Sequence, residues 1–544
     1  MEPCQADAVS EAGLRERWRK AGPAARGLVA ALGLVVAAAL IAGVALWATG
    51  ALEDDDVAVT PARVAEVARK GGTGDPFAYR DAERDDFERR AALGYSHVLY
   101  EKSPGGIIAS ARRTAHWRGE IERAAAAHGA DPDLMEAMVL LESAGRPEVI
   151  AGDDPEAASG LAQIVASTGT DLLGMRVELP LSRELARRIA ASEEQAARLR
   201  VELMAAKPGQ RAKLARRLRE VGRLNLALHR QRRRIDERFD PAAALDGMGR
   251  YLEIAQGQFG RPDLAVASYH MGIGNLQSVI ARFAGPAAEG GSTRGIVAGG
   301  DLDYARIFFG SSPTQNPRAW KLLSSFGDDS STYLWRVLAA ERIMRLYRDD
   351  RRTLEQLDAL QRAKATAEEV FHPQAETTAF ADPGELESAL ESGDLVRIPD
   401  GNPDGNRLGY AVGEQLGQLA RKLEVDRSLY RSLRPEALAA LVYLSARVRK
   451  IAGDRGSLIV TSAVRDQAYQ DALIGLNSEA TAAYSLHTTG FSFDILRQYR
   501  SDRQAGAFQF MLDRLRALAV IDYAVEPEAI HITVSDEARA LIAR

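Results

Sequence analysis

The stretch "DPDLMEAMVLLESAGRPE", Asp131 to Glu148, decides the fold of the middle of this chain. Asp131 suits a helix N-cap and Pro132 the first helical position. Leu134, Met138 and Leu141 then recur at helical spacing, which predicts a helix with one apolar face. Glu142 ends that face. A carboxyl group at the rim of an apolar helix has its charged form disfavoured by desolvation, and its pKa rises toward that of a general acid working near neutral pH. Standing alone, such a glutamate is an ordinary helix residue, and it becomes a chemical candidate only in company.

Working outward, the pattern stays helical from about Trp117 to Tyr347, with alanine, leucine and arginine dominating and few β-branched alternations. This predicts an all-α region over 116–350. Within it, residues 181–238 carry a net charge of about +10 and are broken by Pro208-Gly209, which predicts a basic antiparallel helical hairpin. Solvated helix faces explain such a hairpin blandly; docking to an anionic polymer, a membrane surface or a protein partner is the sharper reading. Residues 351–372 read as a linker helix. Residues 373–544 mix a long helix with strands such as "SLIVTSAV" and "FSFDIL", as a small α+β domain does.

At the other end, 1–26 is a short tail, and 27–52, "GLVAALGLVVAAALIAGVALWATGAL", carries no charge. As a helix at about 1.5 Å per residue it exceeds the roughly 30 Å bilayer core. Arg15, Arg17, Arg19, Lys20 and Arg26 precede it and Glu53 to Asp56 follow it. That asymmetry predicts a single-pass anchor in the inner (cytoplasmic) membrane, with the N-terminus cytoplasmic and the body extracytoplasmic. A cleaved signal peptide is the alternative. Residues 53–115 read as a stalk. The 544-residue length predicts several domains, and the net charge of −5 offers no global attraction to nucleic acid. The only cysteine, Cys4, excludes an intrachain disulfide and a thiolate cluster.

Three further segments follow the Glu142 helix in order: "ASGLAQIVASTGTDLLG" from Ala158, "LAVASYHMGIGNLQSVI" from Leu264 and "SSTYLWRVLAAERIM" from Ser330. Together the four resemble the motifs of lytic transglycosylases of the soluble, goose-lysozyme-like superfamily, over about 230 residues. The resemblance implies that Glu142 is the catalytic acid/base and Ser143 its polar neighbour. It also implies that Gly160, Leu161, Gln163 and Ile164 line a sugar groove, with Tyr269, Gly272, Gly274 and Tyr333 beside the glutamate. Two departures stand out: Ala162 replaces a methionine, and Ser268-Tyr269-His270-Met271 replaces Ala-Tyr-Asn-Ala. Enzymes of that family work with one glutamate, giving a 1,6-anhydro product, whereas ordinary glycosidases pair two carboxyl groups. Asp153 and Asp154 keep a hydrolytic, lysozyme-like alternative open.

In "SLHTTGFSFDIL", Ser485 to Leu496, Phe491, Phe493 and Ile495 alternate with Ser492 and Asp494, which predicts a strand. His487 sits in the loop closed by Gly490, and "VEPEAIHITV" supplies Glu528 and His531. Two imidazoles and one carboxylate leave an open position on zinc, the arrangement that activates water, with Glu528 as general base. With "SAVRDQAYQ" upstream, the pattern resembles the zinc D-alanyl-D-alanine carboxypeptidases and dipeptidases, relatives of the hedgehog metal-binding fold. By that resemblance His487, Asp494 and His531 are the ligands of one zinc and Glu528 the base. The resemblance also implies that Arg465 stabilises the oxyanion and that Gln470 and Ser485 seat the peptide. Phe491-Ser492-Phe493 and Ala529-Ile530 depart from the family's usual residues.

The expected fold class is therefore multidomain: one transmembrane helix, an all-α lysozyme-like domain with an inserted basic hairpin, and a small α+β zinc-peptidase-like domain. The expected function is a bifunctional, membrane-anchored peptidoglycan hydrolase acting on glycan strands and stem peptides, with no nucleic-acid partner. A single-activity transglycosylase or muramidase, whose C-terminal domain is a wall-binding or scaffold module, is the alternative.

Overall fold

In the computed structural model the described residues are 61–71, 74–286, 290–399, 408–474 and 483–542. The expected span at 27–52 lies outside them. Among the described residues no helix is long and apolar enough to cross a membrane.

The helices that build the two sites are α1 (Pro61–Lys70), α2 (Arg84–Gly94), α3 (Pro132–Ser143), α4 (Leu179–Ala205), α5 (Pro208–Ile235), α6 (Pro262–Met271), α7 (Ile273–Ala284), α8 (Tyr333–Asp349), α9 (Arg351–Gln361), α10 (Glu368–Phe371), α11 (Pro435–Ala452) and α12 (Asp502–Ala517). Helix α3 starts where its residue types predict. The Asp131 carboxylate accepts from Asp133 N at 2.8 Å, and Pro132 is the first helical residue. It stops at Ala144, held in the left-handed region at φ 52°. Burial is not confined to one face: Met135, Ala137, Met138, Val139 and Leu140 are all buried, while Leu134 and Leu141 are half-buried. The helix is central, covered on most sides by α8 and its neighbours.

Helices α4 and α5, joined only through Ala206 and Lys207, lie side by side as a hairpin. Small apolar clusters of its own hold it together, Leu185, Ile189 and Leu228 in one, Ala196, Leu199 and Val221 in the other. Its base is tied down by polar groups. Asp236 and Arg238 form a fully buried pair at 2.7 Å, and Ser182 Oγ donates to Asp236 at 2.7 Å. Glu148, in the loop after α3, accepts from His229 (2.8 Å), Arg232 (2.6 Å) and Arg233 (2.8 Å). Burial alone would raise its pKa, but these three donors together pull it down to about 2.

Gly160 sits at this junction with φ +78°, and a Cβ there would lie 1.7 Å from the Arg238 carbonyl oxygen. An alanine would meet both a disfavoured backbone conformation and a rigid backbone atom. Gly160→Ala should therefore destabilise the protein by about 3 kcal/mol or more, read as a lowered unfolding midpoint in denaturant.

The strands are β1 (Val396–Arg397), β2 (Tyr410–Val412), β3 (Ser432–Leu433), β4 (Leu458–Ser462), β5 (Ser492–Leu496), β6 (Ile521–Val525) and β7 (Ala529–Val534). Five form one sheet in the order β2-β4-β5-β7-β6; β2 and β4 are parallel and the other pairs antiparallel. As the alternation in "FSFDIL" predicts, Phe493 and Ile495 are buried in the core, but Ser492 and Asp494 are also buried, so both faces of β5 are covered.

The expected fold class needs correction. Among the described residues the chain is mostly helical, with one five-stranded and one two-stranded sheet, and no helix supports the expected transmembrane element; Val59–Arg544 forms one compact unit. Buried residues from α3, α8, α11 and α12 belong to one hydrophobic cluster. The expected stalk, 53–115, supplies the reason through its described residues. Helix α1 packs on α11, and α2 packs on both α8 and α12. The last approach is so close that a Cβ on Gly94 would lie 1.9 Å from the Arg516 carbonyl oxygen. Arg514 of α12 donates to the carbonyls of Phe309 (2.6 Å), Ser311 (2.7 Å) and Phe308 (3.1 Å), fastening the sheet region to the helical region.

Candidate functional site

At the end of α3, Glu142 is half-buried, and Tyr333 Oη, from the first turn of α8, donates to its Oε1 at 2.6 Å. Burial raises the Glu142 pKa to about 7, and the Tyr333 hydrogen bond only partly opposes the rise. The carboxyl is therefore substantially protonated near neutrality. Tyr269 stacks on Tyr333 with centroids 6.3 Å apart and donates to the Ala162 carbonyl at 2.7 Å. His270 stacks on the same tyrosine at 5.4 Å and lies 3.0 Å from Ser330 Oγ. Gly272, at φ 88°, breaks the chain between α6 and α7.

Other expected groove residues are spent on local structure. Ser143 Oγ bonds back to the Val139 carbonyl at 3.1 Å and is buried. Gln163 holds its own loop, donating to Gly160 O (2.9 Å) and Val149 O (3.2 Å). Asp153 is exposed, and Asp154 is paired with Arg183 of the hairpin at 2.8 Å. Neither lines the cleft of about 240 Å3 beside Glu142. The carboxylate that does is Asp329, which the sequence reading missed, and it is engaged by Arg336 at 2.6 Å.

Because the Tyr333 hydroxyl favours the ionised form of Glu142, Tyr333→Phe should raise the Glu142 pKa further. Proton donation by Glu142 is available below its pKa and is lost as pH rises through about 7. The titration of the Glu142 carboxyl, followed by carbon NMR, should thus move to higher pH in Tyr333→Phe.

The second cluster is built by the sheet. Register pairs Ser462 with Asp494 across β4–β5 and Asp494 with His531 across β5–β7, so the three form one cross-strand row. His487 comes from the short helical turn Leu486–Thr489 ended by Gly490. Ligand atoms of His487, Asp494 and His531 lie within 4.8 Å of one another. Asp494 Oδ1 is 3.2 Å from His487 Nε2 and 2.9 Å from His531 Nδ1. The outer ring nitrogens are anchored: His487 Nδ1 lies 2.8 Å from the Ala463 carbonyl and His531 Nε2 lies 3.0 Å from Glu368 Oε2. One free nitrogen per imidazole, each aimed at a shared carboxylate and fixed from behind, is the donor set and outer shell that fit a zinc ion.

The three groups are pushed in different directions. Burial opposes the ionisation of Asp494, yet the two histidines hold its pKa well below the usual carboxylate range. Burial and nearby Arg465 push His487 down to about 4. For His531, burial is outweighed by Asp494 and Glu368, which push it up to about 10. The Arg465 guanidinium donates to Ser462 Oγ (2.7 Å) and Gln470 Oε1 (3.0 Å) and lies 3.6 Å from Asp494. Arg465, Gln470 and Ser485 all line the surrounding cleft of about 360 Å3.

Glu528, the expected base, is not brought into that cleft. Its side chain is exposed on the turn between β6 and β7, whereas Glu526, two residues earlier, lines the cleft. Lys364 and Glu368 also line it, from the segment expected as a linker. Glu368 accepts from Thr533 Oγ1 at 2.9 Å and pairs with Lys364 at 2.8 Å. As the partner that orients His531, Glu368 should matter to metal: Glu368→Gln is expected to weaken zinc binding about 10- to 100-fold, read by competition with a chelating dye. No known protein-family model matches this sequence, and no curated protein matches it.

Proposed function

We propose that this chain is a peptidoglycan hydrolase that cleaves glycan strands at Glu142 by lytic transglycosylation and stem peptides at the His487–Asp494–His531 cleft. The observation that carries the reading is the placement of Glu142, at the end of α3 in a cleft, hydrogen-bonded by Tyr333 at 2.6 Å, with burial raising its pKa to about 7. Protonated Glu142 gives its proton to the glycosidic oxygen as the C1–O bond breaks. The muramyl 6-hydroxyl then attacks C1, and its proton returns to the carboxylate, leaving a 1,6-anhydro ring. Asp329 is occupied by Arg336, which favours this single-carboxylate route over paired-carboxylate hydrolysis.

At the second cleft, zinc when bound would supply Lewis acidity at the open side of the triad. The chain's own groups supply the rest. Arg465, braced by Ser462 and Gln470, is set to stabilise negative charge developing on a scissile carbonyl oxygen. A carboxylate of the β6–β7 turn accepts the proton from water and passes it to the leaving amine. Reaching this polymer requires an extracytoplasmic location, and the basic hairpin 181–238 suits contact with an anionic wall polymer.

A second reading has one observation in its favour: with Glu528 outside the cleft, the metal cleft could bind stem peptides without cutting them. Clearing of purified peptidoglycan suspensions tests both. Glycan cleavage should persist in a chelator that removes zinc, while release of cross-linked stems should stop. Failure to clear the suspension under any condition contradicts the proposal; clearing that is identical with and without chelator favours the binding-only reading.

A further inference from the structure

A third cleft, of about 820 Å3, is larger than either of the two above and belongs to neither. It lies in the seam where the segment after α1 and the loop Ser312–Asn316 meet α11 and α12. Its charged lining is lopsided: Lys70, Arg80, Arg306, Arg447, Lys450 and Arg514 stand against Asp75 and Asp81.

Most of these charges are accounted for. Arg80 is held by Glu83 at 2.6 Å, Lys70 by Glu66 at 2.5 Å, Arg306 by Asp81 at 3.6 Å and Arg514 by backbone carbonyls. Asp75 is buried, accepting from Tyr443 Oη and Phe77 N, each at 3.0 Å. Arg447 Nη1 donates to the Ala68 carbonyl at 3.3 Å and lies 3.7 Å from Asp75, while its buried Nε has no hydrogen-bond partner among the described residues. Lys450, one helical turn on, has no carboxylate partner among them. Both cations flank one point of backbone: a Cβ on Gly71 would lie 3.4 Å from Arg447 Nη1 and 3.8 Å from Lys450 Nζ. The like charge of Arg447 contributes, after burial, to lowering the Lys450 pKa, so an anion between the two would relieve a repulsion.

The rest of the lining is suited to sugars. Phe283 and Phe510 present half-buried rings, and the Arg514 guanidinium, which also lines the cleft, lies over the Phe510 ring 5.2 Å from its centroid. Thr314, Gln315 and Asn316 add hydroxyl and amide groups. A cation pair beside ring faces and amides matches a ligand with an acid group on an apolar-faced, hydroxyl-rimmed ring.

We propose that this cleft binds an anionic saccharide, its carboxylate or phosphate between Arg447 and Lys450 and a sugar ring against Phe510 or Phe283. The site stands on residues that neither proposed activity uses, so it can fail while they hold.

Calorimetric titration of the full chain with three probes tests it: muramyl dipeptide, N-acetylglucosamine 6-phosphate and neutral diacetylchitobiose. At least one anionic probe should bind tenfold or more tightly than the neutral one, a difference of about 1.4 kcal/mol. Which anion wins identifies a carboxylate-bearing or a phosphate-bearing source. Lys450→Gln should weaken that binding at least tenfold with an unchanged melting temperature. Phe510→Ala should weaken it too, whereas Glu142→Gln and His487→Ala should leave it intact. Equal binding of the neutral probe, no binding of either anionic probe, an unaffected Lys450→Gln, or loss of binding in Glu142→Gln would each overturn the assignment.

Discussion

Glu142→Gln is expected to abolish 1,6-anhydro product, with a loss at the upper end of the roughly 10²- to 10⁴-fold typical of a general acid. Glutamine keeps the shape of the side chain, and its carbonyl can still accept from Tyr333, so the unfolding midpoint should not move. What it cannot do is deliver a proton. The wild-type carboxyl, at a pKa of about 7, holds that proton near neutrality because burial outweighs the single hydrogen bond that favours ionisation. Mass analysis of the soluble muropeptides checks this. Undiminished anhydro ends from the variant would remove Glu142 from the mechanism, and hydrolysed reducing ends from the wild type would point instead to a lysozyme-like reaction.

The second large effect concerns the metal. His487→Ala or His531→Ala should lose stoichiometric zinc after dialysis against trace metal, and with it all peptide cleavage, because each removes one of three donors that converge within 4.8 Å. Carboxylate variants on the neighbouring turn should behave differently. Glu526→Ala and Glu528→Ala should both retain zinc, and the one that loses turnover is the base. Glycan cleavage should survive in all four variants. Since the two sites share one hydrophobic cluster, a melting curve must accompany each variant. Zinc retained at full stoichiometry in His531→Ala would contradict the ligand assignment.

Much of this was legible in local sequence. The N-cap and Pro132 start of α3, the break at Pro208, and the alternation that buries Phe493 and Ile495 are short-range signals, and the structure contains each of those features. The spacing of His487 and Asp494 places both near one point because a tight turn feeds directly into a strand. What was hidden depends on contacts distant in sequence. Glu368 orients His531 from 163 positions away, and its only local trace is the i, i+4 pairing with Lys364 in a segment that reads as a charged linker. Asp329 reaches the Glu142 cleft from a short 3-10 turn, Asp329–Thr332, with no periodicity to mark it. The packing of the expected stalk was hidden for a similar reason. Helix α2 looks like a charged stalk because few of its residues are apolar, yet Phe87, Ala91 and Ala92 are buried, and Gly94 lets the chain pass against Arg516. Glu528 shows the opposite limit, since a motif-like spacing did not bring its side chain to the cleft.

The most direct measurement is the mass of every soluble product released from purified, cross-linked peptidoglycan by the full chain with zinc. Two cuts at two sites predict muropeptides that carry both a 1,6-anhydro end and a shortened or uncrosslinked stem. Products with intact stems and ordinary reducing ends, or no soluble products at all, would contradict it.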